Sequence, residues 1–437
     1  MARTYCIETF GCQMNVHDSE RLAGLLEQAG YESTPEAENA DLVIVNTCSV
    51  RERAEEKLFA RLDRFRGRAT EDRPVIAVTG CVAQQEGARI LARAPMVDVI
   101  VGTQAMTRLP RLVERATQGA APSVELNPHD DVSFPLGIAV RQDPVKAFVT
   151  IIEGCNEFCS FCVVPYTRGH ERMRPAAEIV AEASQAAVTG HREIHLLGQI
   201  VNHYQAPDIE GCDFAGLLKL VSATPDVQRI RFASPHPRYV TPRLIAAIRD
   251  LPQVCEHLHL PVQSGSTRVL RAMRRRHTRD GFLRLVDDVR GAIPGISLST
   301  DMIVGFPGET AEDFSETLSL VKAVGFCSMF SFKYSARPNT LATQRLVDDV
   351  DEEEKGRRLS ELQSVQKGIQ LALHSQMLRH TVSVLVESKS RRRHGELSGR
   401  TTGNTVVNFP GEPEWLGRLL KVTIERTGPN SVWGRVA

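Results

Sequence analysis

Residues 150–168 read TIIEGCNEFCSFCVVPYTR, and three cysteines, Cys155, Cys159 and Cys162, stand within eight residues of one another. The apolar run 147–152 ahead of them has strand character, and Glu153-Gly154 turns the chain. The thiols are therefore expected on a loop at a strand's C-terminal end. Three thiolates bind a soft metal centre but leave a four-ligand one incomplete. A four-iron cluster held by three cysteines keeps one iron open, and an open iron is where chemistry can happen. Two other readings compete. Structural zinc takes four ligands, so His170 would have to complete the set. Inert buried thiols are the ordinary fate of isolated cysteines. Disulfides do not suit three close thiols, which leave one over.

Upstream, apolar strand-like runs at 4–9, 41–45 and 74–79 lead to Cys12, Cys48 and Cys81. Each thiol is expected about two to three residues past its strand. Helical patterns separate the strands, at 19–29 with Asp18-Ser19 as N-cap and Leu22, Leu25 and Leu26 on one face, and at 51–65 with Ala54, Leu58 and Leu62. A fourth strand at 97–101 and a helix near 109–117 follow. Such alternation makes an open parallel sheet, whose strand C-termini share one edge. The three thiols should converge there as a second metal site, the alternative being three separate structural thiols. Cys6 reads as core.

Downstream, residues 118–144 are rich in Pro, Gly, Ala and Asp and read as an interdomain connection. Six strand–helix units then suggest an incomplete α/β barrel, whose active residues collect at strand C-termini. Those ends are polar. They offer Gln199, Asn202 and Tyr204 in LLGQIVNHY, Ser234, His236 and Arg238 in SPHPRY, and Gln263, Ser264 and Ser266 in PVQSGS. Asp301 follows in STDMIVGFPGET, and Tyr334, Ser335 and Arg337 in KYSARPNT. A lone Ser or Asn in a turn usually bonds its own backbone. Glu153, Arg168 and Arg174 flank the cysteine loop, either as surface salt bridges or as contacts to a ligand or phosphate. Cys212, Cys255 and Cys327 read as structural.

A long polar helix is expected at 348–374. From residue 381 the pattern alternates through TVSVLVE, LSGRTTGNTVVNF, LLKVTIERT and SVWGRVA, which makes a β-barrel of about 60 residues, the size of an oligonucleotide-binding fold. The runs RAMRRRHTR (271–279) and KSRRR (389–393) are solvated faces or phosphate contacts. Trp415 and Trp433 pack the small barrel or stack bases.

The chain has 437 residues, enough for two or three domains, with 42% hydrophobic and 24% charged content typical of globular protein. Formal net charge is zero, so nucleic-acid binding would have to come from local basic patches. The first residues show no charged-then-apolar leader, and no apolar run reaches the ~18–20 residues of a membrane span. A cytoplasmic protein is expected. Ten cysteines then point to metal or redox chemistry rather than to bridges.

The CxxxCxxC spacing with Phe161 before the last cysteine resembles the radical S-adenosylmethionine (SAM) enzymes. GCQMN, NTCSVRE and TGCVAQ resemble the N-terminal domain of their methylthiotransferase subgroup, and the C-terminal barrel resembles a TRAM domain. The resemblance covers essentially the whole chain. It implies an α/β protein with an N-terminal open parallel-sheet domain (1–118), a linker (119–144), a partial (β/α)6 barrel of the radical SAM type (145–374) and a small TRAM β-barrel (375–437). It implies two [4Fe-4S] clusters, one on Cys155, Cys159 and Cys162 that chelates and cleaves SAM, and an auxiliary one on Cys12, Cys48 and Cys81 that carries sulfur, both facing one cavity. It implies SAM contacts by Phe161, Gln199, Asn202, Ser234, Gln263 and Asp301, and RNA contacts by Lys389, Arg391, Arg392, Arg393, Lys421 and Arg426.

NTCSVRE resembles the tRNA branch, which methylthiolates C2 of N6-dimethylallyladenosine at position 37. A tRNA anticodon stem-loop, a flavodoxin or ferredoxin as electron donor and a separate sulfur donor would be the partners. The family tends to read GQNVN where this chain has Gln199-Ile200-Val201-Asn202, so Ile200 withdraws an amide and with it an implied substrate contact. Rival readings are a methylthiotransferase acting on an aspartate of a ribosomal protein, and a non-catalytic metal-stabilised RNA-binding protein.

Overall fold

Every residue of LVIVNT, Leu42–Thr47, is buried. A run apolar on both faces suits the middle of a parallel sheet with helices on each side. The computed structural model, which describes residues 3–49, 52–67, 73–126, 139–390 and 393–437, places it there. Strands β1 (Arg3–Phe10), β2 (Tyr31–Ser33), β3 (Leu42–Thr47), β4 (Val75–Gly80), β5 (Val99–Val101) and β6 (Ser123–Glu125) form one sheet in the order β2-β1-β3-β4-β5-β6, with every neighbouring pair parallel. Alternate residues of β3 serve opposite faces, as the two-residue strand period requires. Val43 and Val45 pack with Leu58, Leu62 and Ile76, while Leu42 and Ile44 pack with Leu22, Leu26 and Val99.

Two strands of this sheet were not expected, β2 and β6, and β6 lies within the stretch read as linker. Part of that stretch, 127–138, is outside the described residues. The first helix runs Gln13–Gln28 with Cys12 at its N-cap, so it begins six residues before the expected start. Asp18 and Ser19, expected as the cap, are buried inside it. The early turns bury Asn15, His17, Asp18, Ser19 and Glu20, and polar residues leave no hydrophobic period to read.

The chain divides into two units, one of Met1–Gln142, Ile152–Glu157 and Cys162–Arg174, the other of Asp143–Ile151, Phe158–Phe161 and Pro175–Ala437. Three short strands bracket the cysteine loop. β7 (Lys146–Thr150) belongs to the second unit, and the antiparallel pair β8 (Ile152–Glu153) and β9 (Arg172–Met173) to the first.

In the second unit, β10 (Glu193–Leu197), β11 (Arg229–Phe232), β12 (His257–His259), β13 (Ser297–Val304) and β14 (Ser328–Lys333) continue from β7. They form two parallel sheets, β11-β10-β7 and β12-β13-β14. A parallel bridge from Ile230 to Val254 carries β11 on toward the start of β12. The result is the expected six-stranded partial barrel, with helices such as Ala176–Val188 and Ala311–Val324 in the crossovers.

Strands β15 (Thr381–Lys389), β16 (Glu396–Arg400), β17 (Val406–Pro410), β18 (Leu419–Thr427) and β19 (Val432–Val436) close a barrel in the order β15-β16-β17-β19-β18. Val384, Phe409, Val422 and Ile424 fill it, with Trp415 packed half-buried against them. The barrel docks on the starts of the partial-barrel strands. Arg231 donates to Glu193 at 3.0 Å and to the Thr401 carbonyl at 2.6 Å, and Lys146 pairs with Glu387 at 3.0 Å. The loops after those strands lie at the other end. No described helix is long and apolar enough to cross a membrane.

Candidate functional site

In the first unit, Phe10, Thr47 and Gly80 stand in register across β1, β3 and β4. The three expected thiols follow from this edge. Cys12 is two residues past β1, whereas Cys48 and Cys81 follow their strands directly, closer than the sequence spacing predicted. The Cys48 amide donates to the Phe10 carbonyl at 2.9 Å. A Cβ on Gly11 would meet the Cys48 Cβ at 2.6 Å, so only glycine lets these loops approach. Asn46 braces the edge, receiving from Asn15 Nδ2 at 3.1 Å and donating to the Asn15 carbonyl and Ser19 Oγ, both at 2.9 Å.

The electrostatics favour thiolate. The Cys12 thiol is drawn down to about 6, chiefly by a hydrogen bond with Cys48 and further by the charge of Arg168, against the opposing effect of burial. Thiolate is the metal-binding form of cysteine. Arg168 is wholly buried. Burial alone would weaken its hold on its proton, but Asp18 and Cys81 keep it well above the ordinary value. Arg168 Nη2 lies 2.5 Å from Asp18 Oδ2, and Arg21 Nη1 lies 3.2 Å from Glu153 Oε1. Arg174 is 2% exposed. None of Glu153, Arg168 and Arg174 therefore makes a surface salt bridge.

Cys155 and Cys162 also count with this unit. The Cys155 amide donates to the Gly169 carbonyl at 3.1 Å. Gly154 has φ +83°, and a Cβ there would fall 2.0 Å from the His170 carbonyl oxygen, so the turn into the cysteine loop admits only glycine. Gln104 Nε2 donates to the Arg168 carbonyl at 2.8 Å, which pins the end of the helix Val164–Arg168. Among the described residues no three of His, Cys, Asp and Glu lie close enough to share one metal ion. Thiols around a four-iron core each take their own iron and are held apart by it.

The second unit holds Cys159, Phe161 and the polar strand ends. Ser160 fixes the loop through its amide to the Met273 carbonyl at 3.0 Å and its hydroxyl to the Ala272 carbonyl at 2.8 Å. Phe161 packs half-buried against Val269, Met273, Phe306 and Tyr334. Gln199 Oε1 is buried with no hydrogen-bond partner among the described residues, an acceptor open to an ammonium or amino group. Asn202 is bonded to backbone. Its amide donates to the His236 carbonyl at 2.9 Å and accepts from the His236 amide at 2.8 Å, so it clamps the neighbouring loop. Ser234 and Gln263 have φ +59° and +76°, strained values for side-chain residues that gather at functional loops.

The Gln263 backbone amide donates to the Asp301 backbone carbonyl at 2.9 Å, which ties the segment after β12 to the middle of β13. The Asp301 carboxylate lies 3.4 Å from His259 Nε2. Ile200 is buried. His236, offered by the sequence beside Ser234, has its ring pushed down to about 2 by burial and then by Arg275, and its Nε2 is buried with no hydrogen-bond partner among the described residues. Sequence reasoning gave it no role and missed Arg275, which looked like one more arginine in a basic run. Of the C-terminal cations, Lys389, Lys421 and Arg426 are exposed, and Arg426 lies over the Trp433 ring at 4.6 Å. Arg391 and Arg392 lie outside the described residues.

Comparison with known proteins accords with this architecture. Residues 4–102 match the uncharacterized protein family UPF0004, residues 149–321 the radical SAM superfamily, and residues 375–437 the TRAM domain. A tRNA-2-methylthio-N(6)-dimethylallyladenosine synthase from Solibacter usitatus is 44% identical over 439 residues, covering 100% of this chain and 98% of its own. The protein of that name from Halorhodospira halophila is 46% identical over 98% of this chain and 92% of its own.

The chain belongs to the tRNA-2-methylthio-N(6)-dimethylallyladenosine synthase family.

Among solved structures, the radical SAM methyltransferase TsrM from Kitasatospora setae superposes with a TM-score of 0.57 at 15% identity, over 78% of this chain and 77% of that one. At that identity the likeness shows the fold alone. Within the synthase family, then, the three-domain composition and the partial barrel expected from sequence are both present.

Proposed function

We propose that this chain methylthiolates C2 of N6-dimethylallyladenosine at position 37 of tRNA, giving 2-methylthio-N6-dimethylallyladenosine. The observation that carries the proposal is the gathering of Cys12, Cys48 and Cys81 on adjacent strand ends, in a chain that is also similar over its whole length to synthases of that name. A protein that only cleaved SAM would need no second thiol set. The division into residues 1–118, 119–144, 145–374 and 375–437 goes with the same reading, as does a cytoplasmic setting.

The chemistry explains the donor sets. The C2–H bond of adenine is not acidic enough for a side-chain base, and hydride is no leaving group for a nucleophile. When bound, a reduced cluster on Cys155, Cys159 and Cys162 supplies the one-electron cleavage of SAM that such a carbon requires. Cys12, Cys48 and Cys81 would hold the auxiliary cluster and so present sulfur. Three cysteines per set leave one position free in each. The residues fit, since the Cys12 thiol is poised to ionise near neutral pH.

Around SAM, Gln199 Oε1 accepts a hydrogen bond from the ammonium or the adenine amino group. Asn202 fixes the His236 loop beside the ligand, and Gln263 is tied by a backbone hydrogen bond to Asp301 of β13. Exposed Lys389, Arg393, Lys421 and Arg426 contact tRNA phosphates. A one-electron donor such as a flavodoxin or ferredoxin and a sulfur source complete the system.

The test is the iron and sulfide content of anaerobic protein. One four-iron cluster per triad predicts about eight irons, and loss of about four on replacing either triad. Zinc in place of iron and sulfide would overturn the reading. The substrate is tested by mass spectrometry of tRNA nucleosides from a deletion strain, where unchanged methylthioadenosine would exclude it and favour a ribosomal-protein aspartate.

A further inference from the structure

The run RAMRRRHTR reads as a solvated face or a phosphate contact, and one member does something else. Arg275 is 6% exposed and Cys159 is 9%. Arg275 Nη1 donates to Cys159 Sγ at 3.5 Å, and Nη2 donates to the Pro261 carbonyl at 2.6 Å. Its Nε is buried with no partner among the described residues. The residues on either side, Arg274 and Arg276, have φ +59° and +56°. Two departures into the left-handed region within three residues cost free energy that a free surface loop would avoid. They turn a single guanidinium inward while Arg274 and Arg276 stay exposed. The same turn holds the neighbouring Ser160 through the carbonyls of Ala272 and Met273, so donor and sulfur are positioned together.

The geometry points to Arg275 as the residue that sets the reduction potential of the centre held by Cys155, Cys159 and Cys162, through its hydrogen bond to the Cys159 sulfur. The inference rests on the cluster reading above. Hydrogen bonds and positive charge at a ligand sulfur stabilise the reduced, more negative form and raise the potential. Arg275 is thus a positioning residue of the electron-accepting site. It does not reach the substrate through this contact, and its guanidinium fork, with one arm on sulfur and one on backbone, is a geometry lysine cannot copy.

The experiment is an EPR-monitored redox titration of anaerobic wild type, Arg275→Gln and Arg275→Lys, reading only the signal that changes on adding SAM, together with iron and sulfide analysis. Full iron and sulfide are expected in both variants. In Arg275→Gln the reduced-to-oxidised ratio at fixed potential falls about tenfold, or 59 mV for one electron. Arg275→Lys shows a smaller fall because it keeps the charge. An unchanged ratio in both variants overturns the inference. So does loss of the SAM-responsive centre from both with the thermal midpoint unchanged, which would make Arg275 only a prop for the loop. If Cys159→Ala retains wild-type iron, the cluster reading itself fails, and this inference with it.

Discussion

Arg168 and Asp18, 150 residues apart in sequence, meet at 2.5 Å with side chains 4% and 0% exposed. The pair ties the helix that follows the CxxxCxxC motif to the first helix of the parallel-sheet unit, beside Cys81. Removing one member leaves the other charge buried without its ion-pair partner. Asp18→Asn or Arg168→Met should therefore destabilise the protein by about 3–5 kcal/mol. Replacing both together should recover part of the loss. Urea midpoints of the three variants check this, and a loss below 1 kcal/mol for either single change would contradict it.

Gln199 precedes the 3-10 turn Val201–His203 and Asn202 lies within it, yet replacing them should have different effects. Asn202→Ala removes two hydrogen bonds to the His236 backbone and should cost roughly 1–3 kcal/mol of stability. Gln199 Oε1 has no partner among the described residues to lose. Gln199→Ala should leave the thermal midpoint in place and weaken SAM binding roughly fivefold to tenfold, the equivalent of one hydrogen bond. Calorimetry with SAM and thermal melts separate the two residues.

What the sequence disclosed and what it hid follow one physical rule. Strands such as LVIVNT and the thiols behind them were legible because apolar runs and glycine turns are local signals. The buried polar network of Asn15, Asp18, Ser19 and Asn46 was not, because its meaning lies in partners far along the chain. Asp18 looked like a helix cap, and Arg275 like a surface charge. β2 and β6, three residues each, are too short for a period of two to register.

Stability should fall on the acid side of neutrality partly through buried histidines. Burial, and then Arg231, push His257 down to about 3. In the unfolded chain the same ring takes up a proton near 6.5. Below that pH the unfolded state binds more protons than the folded one, so stability is lost as pH falls. The contribution of His257 is complete above about 6.5 and gone near 3. His257→Gln should flatten this limb, with a difference from wild type of roughly 3 kcal/mol between pH 7 and pH 4. Chemical denaturation across that range measures it, and identical slopes would remove His257 as the cause.

The C-terminal barrel offers the last prediction, because its charge is local while the chain as a whole is neutral. Lys389 and Lys421 lie exposed on β15 and β18, strands that pair directly with each other. Backbone phosphates attract such a pair without regard to base identity, and each contact releases counterions. Replacing both lysines with alanine should weaken binding of any tRNA anticodon stem-loop to a similar degree. It should also lower the slope of log affinity against log salt by about two. Arg426 is held over Trp433, so Arg426→Ala removes a charge and uncovers a ring on which a base could stack. Its slope should fall by about one, with a smaller loss of affinity than either lysine change gives. Binding isotherms at three salt concentrations decide the matter. A slope unmoved by the double lysine change would take the barrel out of the tRNA interface.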